Sequence, residues 1–325
     1  MAEVDTKTYE GNCHCGAIKF SVVLPPLEHT PLHSCSCSIC TKKGYLMVFP
    51  PKSAITVTKG AGTDGLGAGV LAEYAFNSKQ VSHRFCGTCG TPVAIVRKDL
   101  ADDGVVALNA RLFRDVDLWS FEVKEDPGPT TPLGYTSPVF PGLAALTAEP
   151  LPEGEKIYPG SCHCGAVTFA LKSAWLLEKS GPADMENNQV MECDCSTCIR
   201  FAGIYTYPRP ASRVPMHISS PDALAVYFSP VGNAYGGTTF CRLCGCGIGQ
   251  KVVGPPPERV AKLPAERAGD DPRKVRDNAG ACARAGLCAG ADGGGQGGVG
   301  EGERRGEEES GEFGGEGVCR AWVSA

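Results

Sequence analysis

The residues most able to do chemistry are the cysteines, 18 of them in 325 residues, and they are grouped. Cys13-His14-Cys15, Cys35-Ser36-Cys37-Ser38-Ile39-Cys40 and Cys86-Gly87-Thr88-Cys89 together hold seven thiols, a number that cannot be fully paired as disulfides. C-x-C joined to C-x-x-C supplies four thiolates, Cys13, Cys15, Cys86 and Cys89, a closed tetrahedral zinc set. The triplet Cys35, Cys37 and Cys40 keeps one coordination position for an outside ligand. The same division returns with Cys162, Cys164, Cys241 and Cys244 beside Cys193, Cys195 and Cys198, and an extra Cys246 stands where Thr91 stood. Thiols that merely fill a core have no reason to recur at matched spacing. An iron–sulfur cluster ordinarily takes four ligands and does not explain a triplet. Zinc on three thiolates is a weak Lewis acid toward water, yet it holds a bound thiol as thiolate near neutral pH, which suits sulfur chemistry.

Other polar residues near these sets are weaker candidates. His33 lies two residues before Cys35, but Met191 takes the matched place, so a mechanism common to both sets cannot need it. His14 and His163 alternate with ligands and are expected to pack or hydrogen-bond beside the metal rather than bind it. Lys42 and Arg200 follow the triplets at equivalent positions; they are expected as solvated surface charges, with pairing to a substrate carboxylate as the sharper alternative.

The elements that must position these residues follow from a repeat. Asn12 to Phe20 matches Ser161 to Phe169 at six of nine positions, and Cys35–Cys40 and Phe85–Gly90 recur as Cys193–Cys198 and Phe240–Gly245. Order and spacing survive together, so the expectation is a tandem duplication. In the first copy Ile18, Phe20, Val22 and Leu24 alternate. Tyr45–Phe49, Ala54–Thr58, Leu71–Phe76, Val81–Phe85, Pro92–Val96 and Val105–Leu112 are short and rich in β-branched or aromatic residues. This predicts all-β domains without long amphipathic helices. Seven prolines in residues 127–152 predict an extended linker.

Fifteen of the 46 residues in Gly280–Ala325 are Gly, which predicts a disordered tail in which Cys282, Cys288 and Cys319 bind nothing specific. Its Gly, Ala, Arg and Glu are what GC-rich DNA yields in an unintended reading frame, and the second copy is expected to lack its closing strands. The tail carries 8 acidic against 4 basic side chains, most of the net charge of −5. No basic cluster suggests nucleic acid or anionic lipid as a partner. Residues Met1–Asn12 lack the apolar core of a signal peptide, and no run approaches a membrane span, so a cytoplasmic or nuclear location is expected.

The order G-x-C-H-C-G, C-x-C-S-x-C, F-C-x-x-C-G resembles the glutathione-dependent formaldehyde-activating enzyme family, which includes the centromere protein V domain. The resemblance covers roughly residues 9–125 and 158–279. It implies two tandem Mss4-like zinc-binding β domains, 9–126 and 158–279, joined by a linker 127–157 and followed by the tail. It implies a structural zinc on each four-cysteine set and an open zinc on Cys35, Cys37 and Cys40 and on Cys193, Cys195 and Cys198. The implied activity is that of a carbon–sulfur lyase, or its reverse, acting on a small thiol–aldehyde adduct such as S-hydroxymethylglutathione, with glutathione as co-substrate. Two readings compete with it: a non-catalytic zinc-stabilised interaction module, for which a basic or proline-rich extension would speak, and a thiol redox switch at the triplet.

Overall fold

A computed structural model describes residues 5–99, 104–127, 135–174, 190–206, 208, 211–230, 236–252 and 319–321. Its first segment contains strands β1 (Lys7–Asn12), β2 (Lys19–Leu24) and β3 (Leu32–Cys35), helix α1 (Ser38–Lys43), then β4 (Met47–Val48), β5 (Ile55–Lys59) and β6 (Ala72–Tyr74). It continues with β7 (Val81–Phe85), β8 (Pro92–Arg97), β9 (Ala107–Asn109) and β10 (Val123–Asp126). The alternation read from the sequence is the inward face of β2, where Phe20, Val22 and Leu24 are all buried. β1, β2 and β5 form one antiparallel sheet, and the remaining seven strands form a second in the order β10-β3-β4-β9-β8-β7-β6.

One expected strand is shorter than its composition suggests. Val105–Leu112 is strand only at β9, after which a 3-10 turn covers Ala110–Leu112. Asn109 ends it: its side chain accepts from the Arg111 N–H at 3.3 Å and donates to the Pro92 carbonyl at 2.9 Å. A buried amide that bonds nearby backbone offers the chain a turn in place of further ladder.

In the proline-rich stretch, which composition led us to expect extended, Leu143–Ala148 forms a short helix, α2. The prolines stop short of it, at Pro141 and Pro150, and the Ala- and Leu-rich run between them favours helix.

The second segment contains β11 (Glu155–Ser161), β12 (Val167–Ala174), β13 (Val190–Cys193), helix α3 (Ser196–Phe201), β14 (Ile204–Thr206), β15 (Met216–Ile218), β16 (Leu224–Tyr227), β17 (Gly236–Cys241) and β18 (Gly247–Val252). Its sheet β11-β12-β15 has the order of β1-β2-β5, and β16-β17-β18 has that of β6-β7-β8. Within the tail, Cys319–Ala321 forms β19 and pairs antiparallel with β13, with Cys319 opposite Cys193. These three residues depart from the expectation of a wholly disordered tail, because the free edge of β13 presents backbone groups that a further strand can pair. Cys282, Cys288 and the second segment's closing strands lie outside the described residues.

Two apolar clusters cross between the segments. Phe201, Tyr227 and Phe240 are buried with Phe20, Phe85 and Leu108, while Ile39, Tyr45 and Met47 are buried with Phe169 and Ile248. Close backbone approach permits this. Gly90 and Gly245 have φ of 76° and 69°, and a Cβ at either would collide with Phe240 or Phe85 of the other segment. Among the described residues no helix is long and apolar enough to cross a membrane.

Candidate metal centres

Four thiol sets form, each with sulfur atoms within 4.8 Å of one another: Cys13, Cys15, Cys86 and Cys89; Cys162, Cys164, Cys241 and Cys244; Cys35, Cys37 and Cys40; Cys193, Cys195 and Cys198. Each set could hold a metal ion. Sγ separations are 3.7 Å for Cys13–Cys15, 3.5 Å for Cys15–Cys86, and 3.6 Å for both Cys162–Cys164 and Cys164–Cys241. A disulfide would need about 2.0 Å. Zinc–sulfur bonds of about 2.3 Å in a tetrahedron place sulfurs about 3.8 Å apart, so the donor spacing and chemistry fit zinc.

Local geometry builds each set. The C-x-C pair leaves β1 or β11 on a tight turn with a left-handed glycine, Gly16 or Gly165, at φ of 71° and 83°. Its partner C-x-x-C pair follows β7 or β17 and ends on Gly90 or Gly245. The triplets start at the ends of β3 and β13 and close on the first turn of α1 and α3, with Cys37 and Cys195 as the N-cap residues.

Charge is unevenly spread over each set. Hydrogen bonding from Cys40 pulls the Cys37 thiol down to about 5, while Cys40 is pushed far up. Cys37 is therefore the most readily ionised thiol of the first segment's open set. Cys89 is held far below an ordinary thiol by hydrogen bonds from Cys13 and Cys86, and Cys244 by those from Cys162, Cys164 and Cys241. Cys246 adds a further hydrogen bond to Cys244, and Thr91 Oγ1 lies 3.2 Å from Cys89 Sγ. The extra cysteine thus supports a ligand, as its counterpart threonine does.

The other residues singled out from sequence fall into place around these sets. His33 Nδ1 lies 2.8 Å from Asp126 Oδ2, and its ring meets Phe49 edge-on. Lys42 and Arg200 are not the solvated charges expected. Lys42 donates to the Ser161 carbonyl at 2.9 Å and Arg200 to the Asn12 carbonyl at 3.0 Å, each reaching into the other segment just before a C-x-C pair. Both cations are committed to backbone oxygens.

His14 and His163 hydrogen-bond, as expected, but across the segments. His163 Nδ1 lies 2.8 Å from Tyr74 Oη and Nε2 lies 3.0 Å from Ser38 Oγ. His14 Nδ1 lies 2.9 Å from Tyr227 Oη, and Nε2 lies 2.9 Å from Thr197 Oγ1 and 3.2 Å from Ser196 Oγ. Tyr135 stacks on His163 at 4.1 Å between centroids. Sequence reading missed Tyr74 and Tyr227. Their signal was the recurrence of Ala-x-Tyr at Ala72–Tyr74 and Ala225–Tyr227, upstream of each C-x-x-C pair.

Comparison with known proteins agrees with the cysteine pattern. A Halomonas elongata protein, named as a candidate glutathione-dependent formaldehyde-activating enzyme, is 33% identical over 86 residues, which are 25% of this chain and 52% of that protein. The chain therefore spans about half the length of this curated relative. A crystal structure of a Rhodobacter sphaeroides protein is 24% identical, covering 35% of this chain and 99% of that one at a TM-score of 0.29. The model of the glutathione-dependent formaldehyde-activating enzyme family matches residues 8–123, which include every cysteine of the first closed and open sets. Over residues 8–123 the chain is thus similar to the glutathione-dependent formaldehyde-activating enzyme family.

Proposed function

We propose that the protein is a zinc-dependent carbon–sulfur lyase-like enzyme acting on adducts of glutathione with small aldehydes, S-hydroxymethylglutathione being the type substrate. It is built from two tandem copies of one zinc-binding β domain. The observation that carries this reading is the pairing of a four-thiol set, three of its cysteines buried, with a three-thiol set of which one is buried, in each segment. A closed set can only hold a fold together, whereas an open one has room for a substrate sulfur.

Zinc at the open set would supply charge that keeps an incoming thiol ionised. Cys35, Cys37 and Cys40 hold that position at the edge of β3 and α1, and Cys193, Cys195 and Cys198 hold its counterpart. In the addition direction the thiolate sulfur bonds to the aldehyde carbon, and the carbonyl π pair moves to oxygen. That oxygen takes up the proton the thiol released. Cleavage is the reverse.

Cys37→Ser in the full chain tests the reading. The expected outcome is unchanged strand content by circular dichroism, loss of one zinc equivalent and of the first open set's share of glutathione-dependent formaldehyde turnover, and at least a tenfold fall in turnover when Cys195→Ser is added. An active variant with full zinc content removes Cys37 from the site. A wild-type chain that binds four zinc ions but neither turns over the adduct nor perturbs a cobalt-substituted spectrum with glutathione is a zinc-stabilised interaction module instead.

A further inference from the structure

The open set of each segment is mounted on the closed set of the other. Ser38 and Ser196 directly follow Cys37 and Cys195 and open helices α1 and α3. Their hydroxyls meet His163 and His14, which sit inside the C-x-C loops of the opposite closed sets. A tyrosine fixes the second ring nitrogen of each histidine, Tyr74 for His163 and Tyr227 for His14. Both ring positions are therefore engaged, which sets the orientation of the imidazole. Lys42 and Arg200, one turn further along the same helices, tie down the residues that precede the loops.

We propose that His163 and His14 are positioning residues that couple each closed four-thiol set to the open three-thiol set of the other segment, so that each open set depends on both halves of the chain. His163 would hold Ser38 and the first turn of α1, and with it the Cys37 and Cys40 sulfurs; His14 would do the same for α3. The proposal rests on the zinc reading above.

The test follows zinc release from the full chain to a chromophoric chelator. In a Cys195→Ser background only one open set remains, and it should empty in a fast phase ahead of the closed sets. His163→Ala should speed that phase about tenfold, the usual scale for losing a partner that orients a ligand. His163→Gln, whose amide can still reach Ser38, should restore it, and His14→Ala should leave it unchanged. In a Cys37→Ser background the two histidines should exchange roles. Equal effects of both histidines, an effect confined to a histidine's own segment, or no change would overturn the coupling. Should His163→Ala fail to fold, Ser38→Ala breaks the same link and carries the same expectation. A background chain with no fast-released zinc defeats the zinc reading itself before any histidine is changed, which separates the two failures.

Discussion

The first segment joins seven of its strands into one sheet, while among the described residues the second has two three-stranded sheets in the corresponding place. The difference is β9. It pairs with β4 on one side and β8 on the other, bridging the strands that carry the triplet to those that carry the C-x-x-C pair. No described strand bridges β14 to β18. Nonetheless both segments gather four and three thiols at the same spacing. Among the described residues, the elements common to both sets of thiols are tight turns and one helical turn. The described part of the second segment also packs on the first, through Phe85, Phe240 and the two histidines.

The largest way to break this comparison is to remove a closed-set ligand from each side. Structural zinc contributes roughly 10–16 kcal/mol of apparent binding energy in small peptides, against roughly 5–15 kcal/mol of net stability for a domain. Cys86→Ser and Cys241→Ser should each lose one zinc equivalent. Because the apolar clusters cross between segments, either change should replace the wild-type melt with a single lower transition, read by calorimetry. A segment that still melts at its wild-type temperature would show that the cores are energetically separate.

A smaller effect distinguishes β7 from its counterpart β17. His83 is buried on β7 where Thr238 stands on β17, and burial, with Lys43 and His163 nearby, pushes the imidazole down to about 3. An unfolded histidine titrates near 6.5, so between these values the unfolded chain binds the extra proton. Stability from this group is complete above pH 6.5 and falls as pH drops toward 3, by about 1–2 kcal/mol at pH 5. His83→Phe should flatten that part of the melting-temperature profile. An identical slope in the variant would place the acid sensitivity elsewhere.

The smallest expected effect lies at the ends of the two triplet helices. Gly44 closes α1 in the left-handed conformation at φ 56°, whereas α3 closes on Ala202 at φ 47°. A Cβ is disfavoured there, so Ala202→Gly should stabilise the chain by about 0.5–1 kcal/mol, read as a shift in denaturant midpoint. A destabilised variant would mean that the buried Ala202 methyl matters more than the backbone strain.

Much of the site could be read from residue order alone. C-x-C, C-x-x-C and C-x-C-x-x-C each place their own thiols within a few residues, and the count of four and three suggested which motifs combine, although each four-thiol set joins motifs more than 70 positions apart. The alternation in β2 was legible for the same reason, since side chains two apart share a face of a strand. The end of β9 was not, because it depends on an asparagine bonding to a carbonyl 17 residues away. Nor was the helix α2, where flanking prolines masked a short apolar run.

The sequence by itself determined the thiol pairs and triplets, because turns and first helical turns are short-range structures. Only the tertiary structure decided what those sets lean on. Lys42, Arg200, His14 and His163 read as ordinary polar residues along the chain, and their partners lie in the other segment. Contacts between residues more than a hundred positions apart come from how two sheets pack, and packing is a property of the whole buried surface that no local spacing encodes.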